Sequence, residues 1–184
     1  TIHQWQPDTG LSVFRSPSGK SNGLTRDGEG RLIACEHANR RVSRLDPGGA
    51  VTTIASHYKG HRLNSPNDVV VKSDGYVYFT DPPYGLNSTY GVAEFPELDF
   101  TGVYRAAPDG SEIDVMAADC TPNGLAFSPD EKRLYVADTE ANHVLVYDVD
   151  AGGSLSGGHL FARIPGNHLA PDGIKVDRNG HVFV

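Results

Sequence analysis

The 184-residue sequence is short of several things, and each shortage removes a class of protein. Its two cysteines, Cys35 and Cys120, lie far apart and form no CxxC pair, so neither a disulfide framework nor a thiolate zinc site is implied. Two isolated thiols also suit a reducing compartment. Lys and Arg number 16 against 23 Asp and Glu, a net charge of −7, the reverse of the surplus on a nucleic-acid-binding surface. No apolar run approaches the ~20 residues of a membrane-crossing helix. The opening residues lack the basic-then-apolar layout of a secretory leader, and the absence of an initiator Met reads as a processed or cut N-terminus. HxH, HExxH and Walker patterns are all missing. The expectation is a soluble protein, cytoplasmic rather than periplasmic, with neither nucleic acid nor membrane as partner.

What is present is repetition. One Met and few runs of helix formers stand against 21 Gly and 12 Pro, a balance of turns and strands. Four segments read alike: NGLTRDGEGRLIACE from Asn22, NDVVVKSDGYVYFTD from Asn67, NGLAFSPDEKRLYVAD from Asn123 and DGIKVDRNGHVFV from Asp172. In each, an amide or acid opens a short apolar run, a Gly/Asp/Asn-rich turn follows, and a second apolar run returns, the pattern of a β-hairpin. Further paired runs follow at residues 41–45 and 50–55, 102–105 and 112–117, and 143–148 and 160–163. Four strands per unit at a period of ~50 residues is the content of a β-propeller blade, with a solenoid as the rival. Residues 2–5 and 11–14 read as the last two strands of a blade, and residues 182–184 stop inside the second strand of another. The expected organisation of residues 1–184 is one partial propeller domain of about four blades: a half-blade, three full blades and a half-blade.

The first strand of a propeller blade lines the central channel. Asn22, Asn67, Asn123 and Asp172 each open such a strand, so four blades aim three carboxamides and one carboxylate at one axis. Their oxygens are hard donors suited to a divalent cation, Ca²⁺ ahead of Mg²⁺, Mn²⁺ or Zn²⁺. The same residues also open strands for a bland reason, because their side chains bond turn backbone. Acids end the second strands at Glu36, Asp81 and Asp138, where a turn-acceptor role is the plain reading. The longest insertion, residues 82–100, is aromatic and begins Pro-Pro, which suits a lid over the channel mouth with Tyr84 facing a ligand or packing the loop. His37 and His168 lie close to these positions, but solvent exposure is the plainer expectation for both. Arg40, Arg41 and Arg44 are expected to face outward, and Cys35 to sit in the core.

These residues carry a resemblance. SNGLTRDGEGRLIACEH, RLNSPNDVVVKSDGYVYFTDPPYG, TPNGLAFSPDEKRLYVADT and APDGIKVDRNGHVFV resemble successive blades of the gluconolactonase branch of the senescence-marker-protein (regucalcin) family. The resemblance covers nearly the whole chain and implies a six-bladed propeller with one divalent metal, usually Ca²⁺, in its channel. It further implies a hydrolase opening sugar lactones, with Asn123 and Asp172 as metal ligands, Asp172 as general base, and Asn67 in contact with substrate or metal. The family's Glu ligand in an EGP motif has no counterpart here. Two rival readings follow: a phosphotriester hydrolase on the same scaffold, and a non-catalytic NHL-like binding propeller. The cut ends of the arc are expected to expose apolar sheet faces, through which the chain could self-associate.

Overall fold

The computed structural model describes residues 1–118, 120–166 and 170–184. Among them there is no helix, and every sheet is antiparallel. The chain opens with the hairpin β1 (Ile2–Gln6) and β2 (Gly10–Arg15). Three four-stranded meanders follow. The first is β3 (Ser21–Arg26), β4 (Leu32–Glu36), β5 (Arg41–Leu45) and β6 (Val51–Ala55). A small hairpin, β7 (His57–Tyr58) and β8 (His61–Arg62), precedes the second: β9 (Val69–Val71), β10 (Val77–Thr80), β11 (Val103–Ala106) and β12 (Ile113–Ala117). The third is β13 (Pro122–Phe127), β14 (Arg133–Asp138), β15 (His143–Val149) and β16 (Leu155–Arg163), and β17 (Lys175–Val176) pairs with β18 (Val182–Phe183). This is an incomplete arc of a β-propeller, as the repeats predict.

The repeated turn has one physical cause in all four units. An Asp side chain caps the backbone of the residues after it: Asp27 accepts from the Glu29 and Arg31 amides, Asp74 from Tyr76, Asp130 from Lys132, and Asp177 from Asn179 and His181. Such Asx turns compete well with extended chain and fix where each hairpin reverses. The left-handed position after the cap is Gly30, Gly75 or Gly180, but in the third unit it is Glu131 at φ 56°. The Glu131 carboxylate accepts from the backbone amide and the hydroxyl of Ser73, so this turn is tied to the neighbouring sheet.

Alternation along the strands then builds the core. On β10, Val77 and Phe79 face the first sheet while Tyr78 faces the third. On β14, Leu134 and Val136 turn back toward the second sheet, and Tyr135 and Ala137 turn forward toward Ile174. Each interior sheet is thus buried on both faces, and Cys35 sits fully buried in the first interface. Phe79 stacks on Tyr104 at 5.4 Å between ring centroids, and the Tyr78 hydroxyl donates to the Gly153 carbonyl at 2.5 Å. Strand β16 is longer than the residues 160–163 read from sequence: it begins at Leu155 and passes through Gly157 and Gly158. Through that glycine pair the pairing with β15 continues with shifts in register, an irregularity the sheet absorbs.

The innermost strands β3, β9, β13 and β17 contact one another in that order. Close approach is written into the sequence. The amide of Gly23 donates to the Asn67 carbonyl at 2.7 Å, and that of Gly124 donates to the Asp172 carbonyl at 2.8 Å. A β-carbon on either glycine would collide with the carbonyl it serves, which is why the Asn-Gly pair recurs at these two strand starts.

Candidate functional site

The starts of the four inner strands converge. Asn22, Asn67, Asn123 and Asp172 all line one cavity of about 630 Å³, together with Tyr84 from the 82–100 loop. Asn67 and Asn123 are buried, whereas Asn22 and Asp172 are exposed. Main-chain bonds hold the ring. The Asn67 amide donates to the Thr80 carbonyl at 2.9 Å, and the Thr80 hydroxyl donates to the Asn123 carbonyl at 2.6 Å. The Thr139 hydroxyl donates to the Pro171 carbonyl at 2.7 Å and accepts the Asn123 side-chain NH₂ at 3.2 Å. That last bond orients the Asn123 amide and leaves its Oδ1 uncommitted, and the side chains of Asn67 and Asp172 make no hydrogen bond among the described residues.

This donor set decides which ion suits it. No group of three His, Cys, Asp or Glu able to hold a metal occurs among the described residues, so a nitrogen or thiolate site is not built. Two amide oxygens and one carboxylate in a shared cavity are hard, weakly charged donors, and they fit a large oxygen-seeking cation such as Ca²⁺.

The 82–100 loop contributes Tyr84, Asn87, Thr89 and Tyr90 to the cavity wall. Its path is set locally. Asn87 Oδ1 accepts from the Thr89 and Tyr90 amides, while Ser65 Oγ donates to the Pro82 carbonyl and accepts from the Gly85 amide. It is also strapped to the segments flanking the first sheet. Lys20 Nζ donates to the Ser88 and Gly91 carbonyls at 3.1 and 2.7 Å, and Glu94 accepts from Arg40 and Arg62, each at 2.8 Å. The Tyr84 hydroxyl lies against Thr139.

Two expectations are corrected here. Arg40 does not face outward: it is 3% exposed, and its Nε donates to the Leu63 and Asn64 carbonyls while it anchors the loop. His37 is not solvent-exposed either; it is 4% exposed and lines the cavity. The signal missed for both was the long loop itself, which folds back over them. His168 lies outside the described residues.

The strand-end acids do not join the site. Glu36 is fully buried and takes bonds from Arg15, Asn39, Arg41 and Ser43. Burial raises its pKa, but those four donors outweigh burial and hold it down at about 2. Asp81 accepts the Asn64 amide at 2.7 Å, and complete burial pushes its pKa up to about 7 against that bond and the Arg40 charge. Asp138 accepts the Ala141 amide at 3.1 Å, the turn role expected of it.

Comparison with known proteins gives the family. The family model described as SMP-30/gluconolactonase/LRE-like region matches residues 1–184. The gluconolactonase of Zymomonas mobilis is 34% identical over 99% of this chain and 57% of its own length. The pentonolactonase XacC of Haloferax volcanii is 28% identical over the same shares, 99% and 57%. Among solved structures, a gluconolactonase from Xanthomonas campestris superposes with a TM-score of 0.91 at 40% identity, covering 98% of this chain and 60% of that one. A calcium-binding regucalcin from Agrobacterium tumefaciens superposes at 0.74 with 21% identity, a likeness of fold. The chain spans 57% to 60% of the length of the lactonases named here. With the match running the full length of the sequence, the chain belongs to the SMP-30/gluconolactonase/LRE-like family.

Proposed function

We propose that this protein hydrolyses sugar lactones with the help of a divalent cation, Ca²⁺ before Mg²⁺, Mn²⁺ or Zn²⁺. The observation that carries the reading is the meeting of Asn67, Asn123 and Asp172 in one cavity with their side-chain oxygens uncommitted among the described residues. The similarity to a gluconolactonase and a pentonolactonase supports the same substrate class. Asn123 and Asp172 are the ligands. When bound, such a cation polarises an ester carbonyl and steadies negative charge on its oxygen.

The remaining work falls to side chains. Asp172 takes a proton from the attacking water as the water oxygen bonds to the lactone carbonyl carbon. The ring C–O bond then breaks, and the departing oxygen leaves as a hydroxyl carrying a proton returned by Asp172. A hydrogen bond from Gly124 to its carbonyl fixes the main chain of Asp172, so the carboxylate starts from a set position. Asn67 offers both a donor and an acceptor to sugar hydroxyls, and Tyr84 closes the cavity on the loop side.

The test uses full-length protein and D-glucono-1,5-lactone, with acid release followed in a pH-stat before and after chelation and after Ca²⁺ is restored. Lactone opening above the spontaneous rate, lost on chelation and regained with Ca²⁺, is expected. Turnover of a phosphotriester with no lactone opening would replace this reading by the phosphotriesterase one.

A further inference from the structure

Two side chains of the cavity wall carry a buried polar atom without a hydrogen-bond partner among the described residues, the Tyr84 hydroxyl, which lies against Thr139, and a ring nitrogen of His37, which has no role so far. His37 Nε2 is buried and has no hydrogen-bond partner among the described residues. Its ring is held firmly. Nδ1 lies 3.3 Å from the Tyr90 carbonyl oxygen, and Gly85 packs so closely against the ring that a β-carbon there would strike Cβ and Cγ of His37. A carbonyl oxygen has no proton to give, so Nδ1 must carry the hydrogen of that bond. Burial pushes the ring's pKa down against the pull of the Tyr90 carbonyl, which favours the neutral form. With a single proton, placed on Nδ1, the other nitrogen holds a bare lone pair. A buried acceptor left unpaired is costly, and native proteins rarely keep one without a use.

The atoms around it narrow that use. His37 shares the cavity with Asn67, Asn123 and Asp172, and it sits beneath the stretch whose Ser88 and Gly91 carbonyls are clasped by Lys20. We infer that His37 Nε2 accepts a hydrogen bond from one hydroxyl of the bound lactone, under the 88–91 stretch of the loop, and so selects for a hydroxyl at that carbon. The inference rests on the lactonase reading for the class of ligand. It adds a specificity residue that acts as an acceptor, complementing the donor-bearing amide of Asn67.

The experiment has two arms on the full-length, Ca²⁺-loaded protein. In the first, kcat/KM is measured for D-glucono-1,5-lactone and its monodeoxy analogues in the native protein, His37→Leu and His37→Gln. The native protein should lose about 10- to 100-fold on one analogue, the worth of a buried hydrogen bond. His37→Leu should treat that analogue and the parent alike, and His37→Gln, with an amide oxygen to offer, should recover part of the discrimination. Identical analogue ratios in native protein and His37→Leu overturn the inference. In the second arm, nitrogen-15 spectra of the histidines are recorded as gluconate, the ring-opened product, is added. A proton on Nδ1 and a shift of the Nε2 resonance with ligand are expected. A proton on Nε2, or an Nε2 resonance indifferent to saturating gluconate, overturns the inference even if the Leu variant fails to fold. A native protein that opens no lactone defeats the functional reading instead, and the second arm then still decides whether His37 meets a polyol.

Discussion

Two sets of residues recur at matching places in the blades, and they have met opposite fates. At the inner-strand starts, Asn67, Asn123 and Asp172 have their main chains tied by neighbouring blades, yet keep side-chain oxygens uncommitted in a shared cavity. At the second-strand ends, Glu36 and Asp81 are fully buried and serve the fold: Glu36 gathers four donors, and Asp81 bonds the Asn64 amide. Repetition in sequence marks both sets equally. What separates them is access: Glu36 is saturated by its donors, and Asp81, whose Oδ1 has no partner among the described residues, is buried away from the cavity. Function is sought where polar side chains are held in place, left unspent and open to a cavity.

The comparison can be broken most severely at Asp172. Asp172→Ala should remove both bound cation and lactone hydrolysis, a loss of at least about 10³-fold in kcat, while the melting temperature of the cation-free protein stays near native. Metal content by elemental analysis, taken beside turnover, checks it. Retained metal with near-normal rate would put Asp172 in the saturated class.

Glu36 should show the mirror image. Glu36→Gln strips the charge from an acid that Arg15 and Arg41 both contact, and should cost about 3 kcal/mol of stability at neutral pH with metal content unchanged. The sign with pH follows from its depressed pKa of about 2. Native stability from this group is fully present above about pH 4.5 and drains away as pH falls toward 2, so the native and Gln proteins should converge in urea melts at the acid end.

The smallest effect, and the finest distinction, belongs to Asp81. Its pKa is raised to about 7, so the folded state binds a proton more tightly than the unfolded chain does. Native stability should therefore decline as pH rises from about 4 to about 7. Asp81→Asn keeps an oxygen for the Asn64 amide and cannot ionise, so it should flatten that decline and gain about 1–2 kcal/mol at pH 7. Denaturation across a pH series checks it.

The sequence carried the fold plainly because the same local device, an Asp-capped turn between two alternating apolar runs, is spelled out four times. It carried the ring of Asn67, Asn123 and Asp172 for a related reason: in a propeller, equal position in the repeat means equal position around the channel. Properties that depend on another part of the chain were hidden. His37 reads as a surface histidine until Gly85 and the Tyr90 carbonyl close over it from some fifty residues downstream. Arg40 misleads in the same way, because Glu94 and the Leu63 carbonyl draw it inward. Glu36 reads as a turn acid because its partners Arg15 and Arg41 lie on two different sheets.

The contacts of Gly23 with Asn67 and of Gly124 with Asp172 have a consequence for motion. These two amide hydrogens lie neither within a sheet nor in a turn, but across the seams between blades. Neither can exchange with deuterium from heavy water unless its carbonyl partner withdraws, and that partner belongs to the next blade. Their exchange rates therefore gauge how often adjacent blades part at the channel. The seam at Gly124 is the one that also holds Asp172 in place.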